Sequence, residues 1–598
     1  MREYTACPIV RHKTPQGQVT SSTLTPLFLL AACFLITDQE LATRLAGLDD
    51  PVGTGDTSVP IDSAAPDDTG TVHDTGSTAC DVDGDGADNE TCGGADCDDT
   101  DASIYPGAKD AVCDGVDQDC DGQADGPLAV PAAQPTIQAA IDASTDGDTI
   151  CVAAGTYVGA IDFGAHSVTV QGAGSARTTI DGNGARTVTI YDPAIVPTLS
   201  GFTITGGEGP YGGGMYAESA GTTLHDLVIE GNTCTLSPDC IGTGLYLTGP
   251  ANLSDVWIRD NLAAPSAADE SYVYGAGAYV YQSSGTWERV TISDNTGDVS
   301  LARAYGYVLG AGLTLGGGSV ALSDIALMRN LGTRSGTTLV QGAGFGGGLM
   351  LDFDESTFDN LIVTENRFDF PSDQDSAGAA AIYVAHSTTR FSHIQIANNE
   401  AAAGTIYGGT IYVYEATDVA FTNAVIAGNR SIGHEGAFGT IRVDSGGTAR
   451  FTNADIVGNT VQANTYAYGG AFHCEGTGEV DVRNSNVVEN ALVGSLYPQG
   501  GAIYATADTA TAKFAYSNFL ANSEPEFSGI GTSVGYLGNI AVNPEYKWTS
   551  GDDATTWDLT LGSGSGAIDA GDPLGAHNDA DGSRNDIGSF GGPLGIWP

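Results

Sequence analysis

Ten times between residues 227 and 522, an asparagine closes a short β-like run and a large apolar residue stands three positions before it. The asparagines are Asn232, Asn261, Asn295, Asn330, Asn366, Asn399, Asn429, Asn459, Asn490 and Asn522. Their partners are Ile229, Ile258, Ile292, Leu327, Val363, Ile396, Ile426, Ile456, Val487 and Phe519. Successive asparagines lie 29, 34, 35, 36, 33, 30, 30, 31 and 32 residues apart. A period near thirty built from strands, with no helical pattern, predicts a solenoid.

A second fixed point is a glycine-rich step into a strand, as in Gly213-Gly214-Met215-Tyr216, Gly244-Leu245-Tyr246, Gly277-Ala278-Tyr279, Gly409-Thr410-Ile411-Tyr412 and Gly501-Ala502-Ile503-Tyr504. The alternation that follows it, as in Ile411-Tyr412-Val413-Tyr414, sends apolar side chains inward and tyrosines outward. Such coils cannot bury a face alone, and parallel stacking at about 4.8 Å per coil gives them one continuous core. The expected fold class is all-β, a single-stranded parallel β-helix.

Over roughly residues 131 to 598 the chain resembles the pectate-lyase-like right-handed parallel β-helix proteins of bacterial surfaces. Pro135-Thr136-Ile137-Gln138-Ala139-Ala140-Ile141, Asp146-Gly147-Asp148-Thr149-Ile150-Cys151-Val152 and Ala154-Gly155-Thr156-Tyr157 resemble that superfamily's helical cap and first coil. Ala567-Ile568-Asp569-Ala570-Gly571-Asp572 and Asp579-Ala580-Asp581-Gly582-Ser583-Arg584-Asn585-Asp586-Ile587-Gly588 resemble its carboxyl-terminal segment. These signatures imply a fold and leave activity open.

Two roles are open for the recurrent asparagine. Its amides stack and hydrogen-bond from coil to coil, or it tolerates a left-handed turn in solvent. Neither role makes it a catalyst.

The 598 residues carry 74 acidic and 21 basic side chains, a formal charge of −53, with 84 glycines suited to many tight turns. That charge repels nucleic acid and anionic membrane surfaces and attracts cations. At the amino end, Arg2, Arg11 and Lys13 precede the apolar run Leu24-Thr25-Pro26-Leu27-Phe28-Leu29-Leu30-Ala31-Ala32-Cys33. The run is too short to span a bilayer and reads as a signal-peptide core. It resembles a bacterial lipobox, which implies lipidation at Cys33 and a site at the outer membrane or cell surface; a plain secretory signal is the alternative. The organisation expected is a signal peptide over 1–32, a disordered tether over 33–79, an Asp/Cys-rich metal-binding module over 80–126, the β-helix over 127–522, and terminal coils with a cap over 523–598.

From Asp81 to Asp125 there are fifteen Asp or Glu and one basic residue, Lys109, a net of −14. So dense a set of carboxylates needs counter-ions. Asp81, Asp83 and Asp85, and again Asp117, Asp119 and Asp121, alternate before a glycine, a spacing that lets a loop curl around one hard cation. No Glu stands twelve along, which speaks against an EF-hand. The run Asp96-Cys97-Asp98-Asp99-Thr100-Asp101, then Pro106-Gly107-Ala108, then Cys113 to Gly122, resembles a bacterial metal-binding motif named from an outer-membrane copper-binding protein. Here Gln118 and Asp110 replace that family's usual Asn and Glu. The segment holds no His or Met, so its oxygen ligands favour Ca²⁺ over copper. The candidate ligands are Asp81, Asp83, Asp85, Asp96, Asp98, Asp99, Asp101, Asp117, Asp119, Asp121 and Asp125.

Eleven cysteines, five of them in this module (Cys80, Cys92, Cys97, Cys113, Cys120), indicate an oxidising compartment. Too few apolar residues are present for a core, so disulfides and metal must hold the module. Cys113 with Cys120 and Cys234 with Cys240 are candidate local pairs, and the odd fifth cysteine pairs elsewhere or stays free. Cys474 reads as a small core residue.

The familiar sequence elements of pectin hydrolases and lyases are absent, and the reading from sequence is that the chain is not an enzyme. Aligning the glycine steps puts Tyr412, Arg442, His473 and Tyr504 at one outward position, with Asp444 and Glu475 two residues on. If the chain were a polysaccharide lyase or glycoside hydrolase, Arg442, Asp444, His473 and Glu475 would be its groups; ordinary cross-strand pairing is the alternative. The outward column Tyr216, Tyr246, Tyr279, Tyr383, Tyr412 and Tyr504 is a candidate glycan platform or simply a set of good strand formers. The function expected is a lipid-anchored, calcium-stabilised surface β-helix with a structural or adhesive role. Its expected partner is a surface glycan or another surface component, with no nucleic acid and with membrane contact through the lipid alone.

Overall fold

The computed structural model describes residues 80–597 apart from 109–112, 114–115, 121, 123–127, 336–340, 417, 507–509, 531–534 and 536. The expected signal peptide, tether and Cys33 lie outside the described residues. No helix among the described residues is long and apolar enough to cross a membrane.

The described residues form three long parallel sheets of 17, 16 and 13 strands, here sheets 1, 2 and 3. One coil shows the pattern. Ala251–Arg259 runs through sheet 1, Asn261 makes the turn, Leu262–Ala263 and Glu270–Tyr274 belong to sheet 2, and a glycine corner leads to Ala278–Tyr281 in sheet 3. The next coil then pairs in register, with Val256, Trp257 and Ile258 against Val290, Thr291 and Ile292. In-register stacking repeats each inward side chain directly above the last. Phe358, Phe391, Phe421 and Phe451 therefore stack with ring centroids 4.9, 4.9 and 4.8 Å apart, the spacing of neighbouring strands.

Helix α1 (Ile137–Ala143) closes the amino end of the stack. Thr136 caps it by accepting from the Ala139 amide, and it buries Ile137, Ala140 and Ile141 on the first coil. The expected cap is therefore in place.

The recurrent asparagine is the buried ladder. All ten are buried, and each Nδ2 donates to the next coil's Oδ1 across nine consecutive steps of 2.9–3.1 Å. The left-handed turn conformation does occur, but on the residue just before each asparagine: Gly231, Asp260, Asp294, Arg329, Glu365, Asn398, Gly428, Gly458, Glu489 and Ala521 all have positive φ.

The glycine step is the ladder's counterpart. A Cβ on Gly244 would stand 2.5 Å from the Gly277 carbonyl oxygen and 2.8 Å from Asn261 Nδ2. Ladder and glycine step thus meet inside the coil. To one side lies the main apolar core between sheets 1 and 3, and to the other a smaller one under sheet 2 built on Val273, Val308, Phe368 and Phe370.

A further left-handed column escaped the sequence reading. Six residues before each ladder asparagine stand Asp226, Asp255, Arg289, Asp324, Asn360, His393, Asn423, Asn453, Asn484 and Tyr516, all with φ between 49° and 55°. The carboxyl-terminal segment is fastened along the later part of this column. Asn423 Nδ2 donates to the carbonyls of Ser589 and Gly591, Asn453 Nδ2 to that of Asp586, and Asn484 Oδ1 accepts from the Asp572 amide. Past Phe527–Ser528 the chain therefore folds back along the outside of sheet 1. Ala554, Leu559, Trp557 and Trp597 cover Val425, Val457 and Val488 there.

Candidate metal centre and the closed outer patch

Among its described residues the module has loops, turns and one helical element, a single 3-10 turn, Glu90–Cys92, capped by the Asn89 side chain. Its order comes from cross-links. Cys80 pairs with Cys92, Cys97 with Cys120, and Cys113 with Cys151. The expected Cys113–Cys120 pair is therefore corrected: Cys120 lies against Cys97, and the odd fifth cysteine reaches 38 residues along the chain to the first coil. Cys151 sits in the strand Thr149–Val152 beneath the helical cap, so the module is bolted to the end of the solenoid. Cys234 pairs with Cys240 as expected, and Cys474 is a free, buried core thiol whose pKa burial pushes up to about 12.

Two groups of carboxylates converge. Oxygens of Asp81, Asp83 and Asp85 lie within 4.8 Å of one another, and so do oxygens of Asp83, Asp96 and Asp99. Backbone amides orient them: Asp85 N donates to Asp83 Oδ1, Ala87 N to Asp85 Oδ1, and Asp98 N to Asp96 Oδ1. In each of these three the second oxygen, Oδ2, is buried without a hydrogen-bond partner. Asp96 is 2% exposed as a residue. Burial, then the charges of Asp85, Asp96 and Asp81, raise the Asp83 pKa. Orphaned, like-charged oxygens are costly unless a cation sits among them.

The remaining candidates divide. Asp98 and Asp101 are exposed and turn an oxygen to Thr100 and Ser103 respectively. Asp117 Oδ2 accepts from the Gly122 amide, and neither Asp117 nor Asp119 joins a converging group among the described residues. Asp121 and Asp125 lie outside the described residues. Sequence reading missed the structural role of Asn89, whose Nδ2 donates to Asp99 Oδ2 at 2.9 Å while the Val82 amide holds Asp99 Oδ1. The donor set is oxygen only, because Cys80, Cys92, Cys97 and Cys120 are spent on disulfides, and it fits a hard cation better than a soft one.

The outward patch on sheet 3 differs from expectation. Register holds: Tyr412 pairs with Arg442, Arg442 with His473 and His473 with Tyr504. Yet Arg442 and His473 are each only 2% exposed, and Tyr412 and Tyr383 are buried as well. At the glycine corner the outer faces of sheets 2 and 3 turn toward each other, so Tyr407 and Phe438 close over this row. The Arg442 guanidinium lies 5.2 Å from the Tyr407 ring, 5.4 Å from Tyr412 and 5.7 Å from Phe438. Both carboxylates of the patch are committed to it: Arg442 Nη2 donates to Asp444 at 2.8 Å and to Glu475 at 2.6 Å. Burial opposes the Arg442 charge, but Tyr412, Glu475 and Asp444 outweigh it and raise its pKa. Burial, with Arg442 beside it, holds the His473 imidazole well below its ordinary range. The arrangement is an ion network in which Arg442, His473 and Asp444 are buried and Glu475 alone reaches solvent, so these four groups present no open acid–base pair.

The tyrosine column splits. Tyr216, Tyr246 and Tyr279 are half-buried and stack upon one another, at 4.8 Å and 3° for the first pair and 5.5 Å and 22° for the second. Their ring faces are used on each other, and the Tyr216 hydroxyl donates to Glu218. Tyr383 and Tyr412 are enclosed, and Tyr504 stacks on Tyr468 at 4.6 Å. In the loop from Asp369 to Ser376, Asp375 is buried in an ion pair with Arg334. A shallow groove of about 590 Å³ lies on sheet 1, lined by Thr286, Glu288, Ser323, Asp359, Arg390 and Ser392 among others.

The family model Cu-binding_MopE, described as "Putative metal-binding motif", matches residues 96–126. The match begins at Asp96 and leaves Asp81, Asp83 and Asp85 outside it. No curated protein matches the chain. A metal-binding motif joined to a disulfide-bearing β-solenoid fits an extracellular or surface protein of structural type.

Proposed function

We propose that the chain is a bacterial cell-surface β-helix protein with a structural or adhesive role, anchored through lipid on Cys33 and stabilised by Ca²⁺ in its amino-terminal module. A parallel β-helix hosts both enzymes and non-enzymes, so activity has to be argued from a site. The observation that carries the reading is the closure of the sheet 3 patch, the one place where sequence reasoning brought base, acid and cation together. Arg442 and His473 are buried there and both carboxylates are bound to the guanidinium. Supporting it are the disulfides, which suit an oxidising compartment, and the net charge of −53, which disfavours acidic polymers. The all-oxygen donor set supports Ca²⁺.

Purified protein incubated with neutral and acidic polysaccharides in the presence of Ca²⁺ should release no cleavage products. Robust turnover that His473→Ala or Arg442→Ala abolishes would replace this reading with a polysaccharide lyase or hydrolase.

A further inference from the structure

The loop at Asp81–Gly86 has the alternating carboxylates of a loop that curls around an ion by itself, but the structure gives Asp83 two sets of neighbours. One is its own loop, Asp81 and Asp85; the other is Asp96 and Asp99, from the start of the segment that matches the metal-binding family. The second pair has nothing to do with local spacing, since it is brought in by the fold. Asn89 bridges to Asp96, the Asp96 amide donates to the Asp88 carbonyl, and the Val82 amide and Asn89 side chain hold both oxygens of Asp99. The Cys80–Cys92 disulfide closes the intervening loop.

We propose that one hard divalent cation, of the Ca²⁺ class, bridges the two segments, with Asp83 as the ligand common to both groups and Asp96 as its partner from the family-matched segment. The proposal rests on the calcium reading above and narrows it to a place. Asp96 carries the argument: it is 2% exposed, its Oδ1 takes the Asp98 amide, its Oδ2 is buried with no hydrogen-bond donor, and its carboxylate comes within 4.8 Å of oxygens of Asp83 and Asp99. A neutral hydrogen-bond network would present a donor to that oxygen, whereas a cation site leaves it free. The free, buried Oδ2 atoms of Asp83 and Asp85 repeat the arrangement from the other segment. Carboxylates from two segments make the ion a clasp, so that loading fastens the Cys80–Cys92 loop to the segment that the Cys113–Cys151 disulfide bolts to the solenoid.

Calorimetric titration of the EDTA-stripped full chain with CaCl₂ tests this. Asp83→Asn and Asp96→Asn should each weaken binding at least about tenfold, while Asp98→Asn and Asp117→Asn stay within about threefold of the parent. Non-reducing intact mass confirms that each variant keeps its disulfides. A second measurement needs no variant. Cleavage by a glutamate-specific protease at exposed Glu90, inside the clasped loop, should slow about tenfold or more when Ca²⁺ is bound. Binding lost in Asp117→Asn and kept in Asp83→Asn and Asp96→Asn overturns the bridge and leaves calcium binding standing. Unchanged cleavage at Glu90 with Ca²⁺ bound also overturns the bridge. No Ca²⁺ uptake by the parent chain overturns the bridge and the calcium reading together.

Discussion

The module from Cys80 to Gly122 and the coil stack beyond it are held together by opposite means. In the stack, order comes from burial: each coil repeats the same inward residues, so apolar side chains and ladder amides find identical partners above and below. In the module few large apolar groups exist to bury. Three disulfides and a knot of carboxylates stand where a core would be, and one of those disulfides spans the boundary. Repetition makes the stack indifferent to ions, whereas the module depends on covalent closure and charge neutralisation. Perturbations should therefore sort cleanly by region.

The largest effect is expected within the ladder. Asn429 Nδ2 donates to Ile396 O, Ala427 O and Asn459 Oδ1, and its own Oδ1 accepts from the backbone and side chain of Asn399. Asn429→Leu leaves Asn399 donors buried without an acceptor and should destabilise the stack by about 3 kcal/mol. It should leave Ca²⁺ uptake by the module unchanged. A urea midpoint shift corresponding to less than about 0.5 kcal/mol would make the ladder decorative and break the comparison.

Metal removal should act on the other region alone. At a Ca²⁺ concentration of about 100 times Kd, binding adds about 2.7 kcal/mol to whatever unit holds the ion. Chelation should therefore lower the protease resistance of residues 80–122 while the main melting transition of the stack stays put. Replacing Cys113 and Cys151 together by Ser sharpens the point. The module should then be trimmed away by limited proteolysis from a solenoid that melts as before. A drop in the main transition with either treatment would mean that the module clamps the whole stack.

How much of this was legible in the sequence follows the same division. The ladder could be read because a buried amide that must meet its copy tolerates no other residue, so Asn429 and its nine counterparts recur. The glycine step could be read too, since a Cβ at Gly244 would collide with the neighbouring coil. The left-handed column at Asp255, Arg289 and Asn360 was invisible because a backbone conformation accepts many side chains. Cys113 found Cys151 rather than Cys120 because disulfide choice depends on where chain segments meet in space. The patch misled for a related reason. Strand alternation states correctly that Arg442 and His473 leave the core, but the angle at the glycine corner decides whether the outside is open. That angle is a property of two sheets and of the rings, Tyr407 and Phe438, that fill the corner.

The caged patch offers a test intermediate in size. His473 is buried with its pKa held well below the ordinary value, so the unfolded chain binds a proton that the folded chain refuses. The stability that this residue contributes is complete above about pH 6.5 and is lost as pH falls below it, at up to about 1.4 kcal/mol per pH unit. His473→Phe should flatten that part of the pH–stability curve of the stack. An unchanged slope between about pH 6.5 and 5 would mean that the imidazole is accessible and that the patch is open after all.

The smallest effect lies within a single turn. Glu489 has φ of 58° and is exposed, while the adjacent Asn490 is buried in the ladder. An L-residue in the left-handed region carries roughly 1 kcal/mol or more of strain that glycine avoids, offset in part by glycine's greater freedom in the unfolded chain. Glu489→Gly should therefore be neutral or stabilise the stack by up to about 1 kcal/mol, matching the glycines already present at Gly231, Gly428 and Gly458. Asn490→Gly, one residue on, removes amide bonds to Asn522, Ile456 and Val488 and should cost about 2 kcal/mol or more. The pair of urea midpoints must move in opposite directions, or the first stay still while the second falls. Equal losses at both positions would show that the turn is held by its backbone shape, and the ladder amides would lose their claim to hold the stack together.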